Sequence, residues 1–345
     1  MIVVLVLFAF LILFSMRVSK DNSAFALSKE QTQTIKGIFV ITIFFSHFCS
    51  YVIFDKWFDI PMREYCRWLG QLMVVPFLFY SGYGIFESVK RRGISYVSSF
   101  PKKRILKTLI HFDLAVVLFI VYDFFFAPNN LSLLKIVASF VAWDSVGNSN
   151  WFIFAILCAY VFSFIALVFG NGYLHRVLIL ILILSFIYIV LVSRFRAGYW
   201  FDTILAFPLG CFASLYKEKI TIVGGKWLLW VTLCIICLMV LLVAKKGCIP
   251  IPFVNSQLAL VGFMLLIVFL SMKMKFKSKI LSWFGAQVFG VYILQRLPMN
   301  FGQFMHWNEQ NIYLYFVFCF AVTLILAVFF HKATEKIDSK FFKGP

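Results

Sequence analysis

Charge is scarce in this sequence of 345 residues. Asp, Glu, Lys and Arg together make up 13% of it, whereas hydrophobic residues make up 63%. A soluble domain usually carries about twice that charged fraction, so this chain is too apolar to fold with water as its main solvent. Apolar runs recur along the whole length. They indicate one membrane domain rather than a soluble domain with a single anchor.

Acidic residues are especially few. The chain has 14 Asp and Glu against 32 Lys and Arg, which gives a formal net charge of +18. In a soluble protein this excess would point to nucleic acid. Here the cations lie in the gaps between apolar runs, where membrane topology concentrates them. We therefore predict no nucleic-acid partner and expect membrane lipid as the surroundings.

Recognisable metal and redox signatures are also missing. Most of the eight Cys are scattered through apolar segments, and Cys234 and Cys237 form a C-x-x-C pair without a second pair of ligands. The five His show no repeated spacing, which argues against the paired axial ligands of a haem protein. We predict no metal site and no bound cofactor.

Apolar stretches near the length of about 20 residues that spans a bilayer define the fold class. We predict an all-α polytopic membrane helical bundle, with an extra N-terminal transmembrane helix within residues 1–20 and a membrane domain with a ten-helix core at 27–345. The stretch 131–143 is apolar but short and is expected to be interfacial or re-entrant. The predicted helices cover residues 2–16, 36–53, 69–87, 105–126, 151–169, 174–192, 199–216, 227–243, 253–272, 280–297 and 312–330.

Orientation follows from the distribution of Lys and Arg. When the loops are assigned to alternating sides, 23 of the 32 cations fall on one side, which is then cytoplasmic. The N-terminus is predicted outside and the C-terminal tail inside. A signal peptide is the alternative for residues 2–16, but no basic residue precedes that run, and Arg17 and Lys20 follow it.

His47 is an ionisable residue within a predicted span, and such residues are functional candidates by default. It follows Lys36 by eleven residues, close to three helical turns, so both lie on one helix face about 16 Å apart along the axis. With Lys36 at the cytoplasmic boundary, His47 lies beyond the middle of the membrane. The alternative is a histidine that only packs and forms hydrogen bonds.

The loop from Lys90 to Lys107 contains seven cations, more than topology needs. Arg104 and Lys107 are one helical turn apart, as are Lys103 and Lys107, so they can present charge to one phosphate cluster. An orientation signal or a contact with anionic lipid is the alternative.

These residues, together with further short motifs, resemble the motifs of a known protein family. The Lys36 to His47 run is similar to the first core-helix motif of the acyltransferase-3 family, in which a basic residue and ten further positions precede an invariant His. Ser81-Gly82 resembles its Ser-Gly-aromatic signature. Arg104 to Lys107 resembles its cytoplasmic Arg-x-x-Arg, with Lys in the second place. Further matches follow in family order at Asn150-Trp151-Phe152, Phe207-Pro208-Leu209-Gly210 and Gly285 to Leu294, after which this chain has Gln295 where the family usually has His.

The resemblance implies a membrane-bound O-acyltransferase. It would move an acyl group, with acetyl expected, from cytoplasmic acyl-CoA to a hydroxyl of an extracytoplasmic polysaccharide or lipid-linked glycan. The expected location is the cell membrane, in bacteria the cytoplasmic membrane. His47 would act as general base or, alternatively, accept the acyl group and relay it. Lys36, Ser46 and Ser81 would support it, although small hydroxyl residues also pack helices together.

The resemblance also implies where the donor binds, and the polar residues of the outer side suggest where the acceptor binds. Lys103, Arg104 and Lys107 would hold the phosphates of acetyl-CoA or another acyl-CoA. Outside, the polar stretch 144–150 is the best acceptor candidate. Its predicted contacts are Asp144, Asn148, Asn150 and the neighbouring Trp151, for which an aromatic belt at the membrane interface is the alternative. A transporter or flippase of a glycan or lipid-linked sugar remains the rival function, although the two matching broken segments that such a protein can show are not seen.

Overall fold

The computed structural model describes residues 1–18, 27–126 and 131–342, and it confirms an all-α helical bundle. The predicted boundary between the extra helix and the core, and the cations Lys20 and Lys343, lie outside the described residues. The helices are α1 (Ile2–Ser15), α2 (Lys29–Cys49), α3 (Ile60–Leu69), α4 (Val75–Arg92), α5 (Ile94–Phe100), α6 (Lys107–Phe126), α7 (Leu133–Phe140), α8 (Trp151–Phe169), α9 (Leu174–Val192), α10 (Ala206–Leu215), α11 (Lys217–Gly225), α12 (Trp227–Lys245), α13 (Pro252–Lys273), α14 (Lys279–Ala286), α15 (Val288–Leu294), α16 (Arg296–Phe304), α17 (Trp307–Gln310) and α18 (Ile312–Phe341). Two short strands, β1 (Met16–Val18) and β2 (Met274–Phe276), two 3-10 turns (Gly70–Met73 and Gly198–Trp200) and a π-helical segment (Pro101–Leu106) complete the fold.

Eight helical spans in the described ranges are long and apolar enough to cross a bilayer. The chain is therefore a multi-pass membrane protein by length and composition. Each predicted segment has a helical counterpart, but α1 and α10 are shorter than a bilayer requires. The short stretch predicted as interfacial contains α7, which has only eight residues.

The prediction of one continuous helix over 199–216 is wrong in its first half, because the α-helix there begins only at Ala206. The Tyr188 hydroxyl donates to the Trp200 carbonyl at 2.8 Å, and the Gln257 side chain donates to the Asp202 carbonyl at 2.7 Å. These tertiary hydrogen bonds satisfy backbone oxygens that a helix would otherwise use. The segment enters the bundle as a turn for that reason.

The segment predicted over 280–297 is also interrupted. It forms α14, α15 and α16, which meet at Gln287 and Gln295. Pro298 lies in the first turn of α16. Its ring lacks an N–H and clashes with the carbonyl four residues earlier, at Leu294, so α15 ends there.

The pairing of β1 with β2 fixes which helix ends lie together. The strands are antiparallel, with Arg17 opposite Lys275. The end of α1 therefore lies beside the end of α13, as the predicted topology requires for two cytoplasmic loops. We call this end of the bundle, where α2 also begins, the inner end. The opposite end, where α2 finishes and α8 begins, is the outer end.

Two glycines hold α4 and α10 in backbone contact. A Cβ at Gly82 would lie 2.1 Å from the carbonyl oxygen of Phe207, and a Cβ at Gly210 would lie 2.0 Å from that of Phe79. Only glycine allows this approach. The glycines of two motifs that carry the family resemblance therefore serve packing.

The helices α2 and α14 are also in backbone contact at two glycines. A Cβ at Gly37 would lie 1.8 Å from the Leu281 carbonyl oxygen, and a Cβ at Gly285 would lie 1.9 Å from that of Gln33. The helix that carries His47 is thus held against α14 without intervening side chains.

Candidate functional site

His47 lies in the last turns of α2 and lines a cavity of about 450 Å³ at the outer end. The helix reaches this point without interruption because Ser28 caps its start and its middle turns are buried in the apolar core. The Nδ1 atom of His47 is buried and has no hydrogen-bond partner among the described residues. The polar residues that line the cavity are Ser46, His47, Ser50, Gln71, Asn148, Ser149, Asn150, Tyr199, Tyr292 and Arg296.

The segment before α8 brings a polar loop to this cavity. The Asn148 side-chain oxygen accepts hydrogen bonds from the Ser145 hydroxyl and the Val146 backbone N–H, both at 3.1 Å. The Asn150 amide donates to the Ala142 carbonyl at 3.0 Å. These bonds hold the loop in a tight turn. They leave the buried Asn148 Nδ2 without a partner among the described residues.

Arg296 is a site residue that the sequence analysis missed. Its Nε donates to the Ser149 hydroxyl at 2.9 Å, and its Nη1 lies 3.5 Å from the Tyr51 hydroxyl, which donates to Asn300 at 2.6 Å. Arg296 belongs to the nine of the 32 cations that the charge distribution assigns to the outer side, and no motif distinguishes it from the others. Its position at the end of an apolar segment was the available signal, since ionisable residues there are functional candidates.

A second set of polar residues lies between the cavity and the inner end. The Ser81 hydroxyl is 2.9 Å from the Tyr160 hydroxyl. Arg104, in the π-helical segment, donates from Nε to the Tyr96 hydroxyl at 3.1 Å and also forms a hydrogen bond with Tyr160. Arg104 is a charged neighbour of Lys36. We call Lys36, Ser81, Tyr96, Arg104 and Tyr160 the inner polar cluster.

Lys36 reaches this cluster from α2, and its Nζ lies 5.8 Å from the centre of the Tyr80 ring. Neither Lys36 nor Arg104 has a carboxylate within ion-pair distance in the part of the chain that the structure describes. The two cations therefore form a region of uncompensated positive charge inside the bundle.

Lys107 lies apart from this cluster. Its Nζ is 2.5 Å from Asp338 Oδ2 on α18, and Asp338 Oδ1 is 3.0 Å from His111 Nε2. The π-helical segment is wider than an α-helix, so residues three apart do not lie on one face as they would on an α-helix. Arg104 and Lys107 consequently have different neighbours, although the sequence spacing places them one α-helical turn apart.

The predicted site residues thus fall into three sets. Ser46, His47, Asn148, Asn150 and Trp151 line the outer cavity. Lys36, Ser81 and Arg104 belong to the inner polar cluster. Asp144 lies outside both, because its carboxylate accepts from the Ser145 backbone N–H at 2.7 Å within its own loop. Lys103 is half-buried in the π-helical segment, and Lys107 is paired with Asp338.

A family model described as an acyltransferase domain matches residues 33–332 of the chain. The match begins in α2, ends in α18 and contains the outer cavity and the inner polar cluster, whereas α1 lies outside it. Comparisons with curated proteins and with solved structures found no match.

Proposed function

We propose, from the premise that this chain belongs to the acyltransferase-3 family and is a membrane-embedded acyltransferase, that it moves an acyl group from cytoplasmic acyl-CoA to a hydroxyl of an extracytoplasmic polysaccharide or lipid-linked glycan. Acetyl is the proposed acyl group. The proposal places the protein in the cell membrane, in bacteria the cytoplasmic membrane, with its inner end toward the cytoplasm.

The observation that carries the proposal is the environment of His47. A buried polar atom without a partner needs an explanation, because leaving it unsatisfied costs free energy. The Nδ1 atom of His47 is such an atom, and the ring lines a cavity at the outer end. An acceptor hydroxyl that entered this cavity would supply the missing hydrogen bond.

His47 acts in this mechanism as a general base. The imidazole takes the proton of the acceptor hydroxyl while the hydroxyl oxygen attacks the carbonyl carbon of the thioester. The new C–O bond forms, the C–S bond breaks, and the thiolate of CoA recovers a proton from the imidazolium. A relay in which His47 first accepts the acyl group uses the same position and needs the same acceptor. Ser46, one residue earlier in the same cavity lining, can orient either species.

The inner polar cluster supports the donor side of the proposal. Lys36 and Arg104 offer two cations without carboxylate partners in the described structure, and phosphate groups of acyl-CoA would neutralise them. Lys36 and His47 lie on one continuous helix, about 16 Å apart along its axis. An extended pantetheine arm can cover that distance. Lys103 and Lys107 are proposed as outlying contacts at the inner end.

Acyl transfer can be tested with the purified full-length protein in lipid vesicles. The substrates are acetyl-CoA radiolabelled in the acetyl group and envelope glycan from the source cells. We expect label to appear on the glycan as an alkali-labile ester, because O-acyl esters hydrolyse in base. Glycan that crosses the vesicle membrane without becoming labelled would instead support the transporter and overturn the proposal.

A further inference from the structure

Among the residues that the structure describes, no Asp or Glu lines the cavity around His47. The basic side chains in its lining are His47 and Arg296. A second cavity at the outer end, of about 680 Å³, adjoins the outer cavity at Ser50 and differs from it because Asp55 and Glu309 line it. Carboxylates are thus present at the outer end of the bundle but do not face His47.

Arg296 has unused capacity to bind an anion. A guanidinium group carries five N–H donors. The partners of Arg296 in the described residues are the neutral hydroxyls of Ser149 and Tyr51, and no carboxylate there lies within ion-pair distance. A guanidinium matches the two oxygens of a carboxylate or phosphate, so its open donors favour such a group.

A second donor in the same cavity is independent of Arg296. The Asn148 side chain is only 4% exposed, its oxygen is fixed by the loop, and its Nδ2 has no partner among the described residues. The amide therefore presents N–H groups without an acceptor. Two helices, α8 and α16, also begin at this cavity, and helix N-termini carry partial positive charge.

We propose that the outer cavity binds an acidic acceptor glycan, whose carboxylate or phosphate is held by Arg296 and the Asn148 amide beside His47. This inference rests on the proposed function and narrows its acceptor class. The anion differs from the donor phosphates, because Lys36 and Arg104 lie farther toward the inner end. Binding the anion at Arg296 positions the neighbouring sugar hydroxyl against His47.

The test uses the full-length protein in vesicles with acetyl-CoA and three forms of source-cell envelope glycan. One form is untreated, one has its carboxyl groups reduced to alcohols, and one has its phosphate removed with hydrofluoric acid. We expect one of the two treatments to raise the acceptor KM roughly tenfold to hundredfold, the effect of losing one charge-assisted hydrogen bond. The KM for acetyl-CoA should not change. The effective treatment identifies whether the anion is carboxylate or phosphate.

Variants connect this effect to Arg296. Arg296→Gln should raise the KM for untreated glycan by the same factor. The variant should then have the same KM for untreated glycan and for the glycan whose anion has been removed. Arg296→Lys should be intermediate because it keeps the charge without the planar fork. Arg194→Gln, a change of an exposed arginine in the loop after α9, is the matched control and should have no effect. Acetyl-CoA binding by each variant checks that it is folded.

Three outcomes would overturn the inference. In the first, neither treatment changes the acceptor KM, while transfer itself still supports the proposed function. In the second, Arg296→Gln lowers kcat equally on all glycan forms with KM unchanged, which would make Arg296 a stabiliser of the transition state. In the third, the wild-type protein transfers acetyl to no form of the glycan, which would overturn the proposed function as well.

Discussion

The outer cavity and the inner polar cluster are both polar regions inside an apolar bundle, but their polar groups are satisfied differently. In the cavity, His47 Nδ1 and Asn148 Nδ2 have no partners among the described residues. In the cluster, Ser81 and Arg104 bind the hydroxyls of Tyr160 and Tyr96. The cavity is therefore suited to a reaction with a molecule that enters it. The cluster is suited to holding a bound ligand in place.

The largest expected effect is at the outer cavity. His47→Gln should lower kcat for acetyl transfer by roughly 100- to 10,000-fold, the usual contribution of general acid–base catalysis. The affinity for acetyl-CoA should stay within about twofold, because His47 is about 16 Å from Lys36 along the helix. Steady-state kinetics and a binding titration measure the two quantities. His175→Gln, which changes an exposed histidine on α9, is the control.

A His47→Gln protein that binds acetyl-CoA tenfold more weakly would contradict the division between the two regions. A folded variant that still acylates glycan at the normal rate would remove His47 from the catalytic mechanism altogether.

The next effect should come from the inner polar cluster. Arg104→Gln removes a charge-assisted contact worth about 1.5 to 3 kcal/mol, so acetyl-CoA affinity should fall by tenfold or more. Lys107→Gln is the matched comparison three residues away. Its effect on donor affinity should be smaller, because Lys107 is already paired with Asp338. A titration of the purified variants with acetyl-CoA separates the two positions.

Equal losses of donor affinity in Arg104→Gln and Lys107→Gln would mean that both cations bind the donor and that the ion pair with Asp338 opens in the complex. Equal affinities in both variants and the wild type would mean that the basic loop only sets topology.

The smallest expected effect concerns the hydroxyl pair of the cluster. Ser81→Ala removes one neutral hydrogen bond, worth about 0.5 to 1.5 kcal/mol, and should raise the KM for acetyl-CoA by roughly twofold to tenfold. Tyr160→Phe also removes the hydrogen bond between Tyr160 and Arg104, so its KM should rise by at least as much. The double variant should add little to Tyr160→Phe if the 2.9 Å contact between the two hydroxyls is the interaction that Ser81→Ala loses.

A Ser81→Ala variant that loses kcat as strongly as His47→Gln would instead give Ser81 a direct catalytic role. In that case the inner polar cluster would belong to the reaction centre.

The sequence predicted the fold well, because runs of about 20 apolar residues have few alternatives to membrane helices. It did not predict where α15 ends, although Pro298 gave a local signal for that break. The turn at Trp200 and Asp202 was not predictable in this way. Its hydrogen bonds come from Tyr188 and Gln257, and Gln257 is 55 residues from its partner.

The candidate site was only partly predictable for the same reason. His47 and Lys36 lie on one helix, so their spacing alone relates them. The pairing of Lys107 with Asp338 joins residues 231 positions apart and changes the neighbours of a cation that the spacing had grouped with Arg104. Arg296 lies just after the break between α15 and α16. Its place at the end of an apolar segment was a signal for a functional residue, but the predicted unbroken helix did not indicate which cavity it lines.

The glycine contacts between α2 and α14 and between α4 and α10 have a consequence for motion. Each glycine meets a carbonyl oxygen of the facing helix at a distance that leaves no room for a Cβ. Sliding by one residue would drive a side chain into that oxygen, so each pair moves as a rigid body. A protein that carries its cargo by rocking helices past each other would have to break these contacts in every cycle. In this bundle the helices that hold His47, Lys36 and Ser81 can remain still, so the proposed acyl transfer would require neither helix pair to slide.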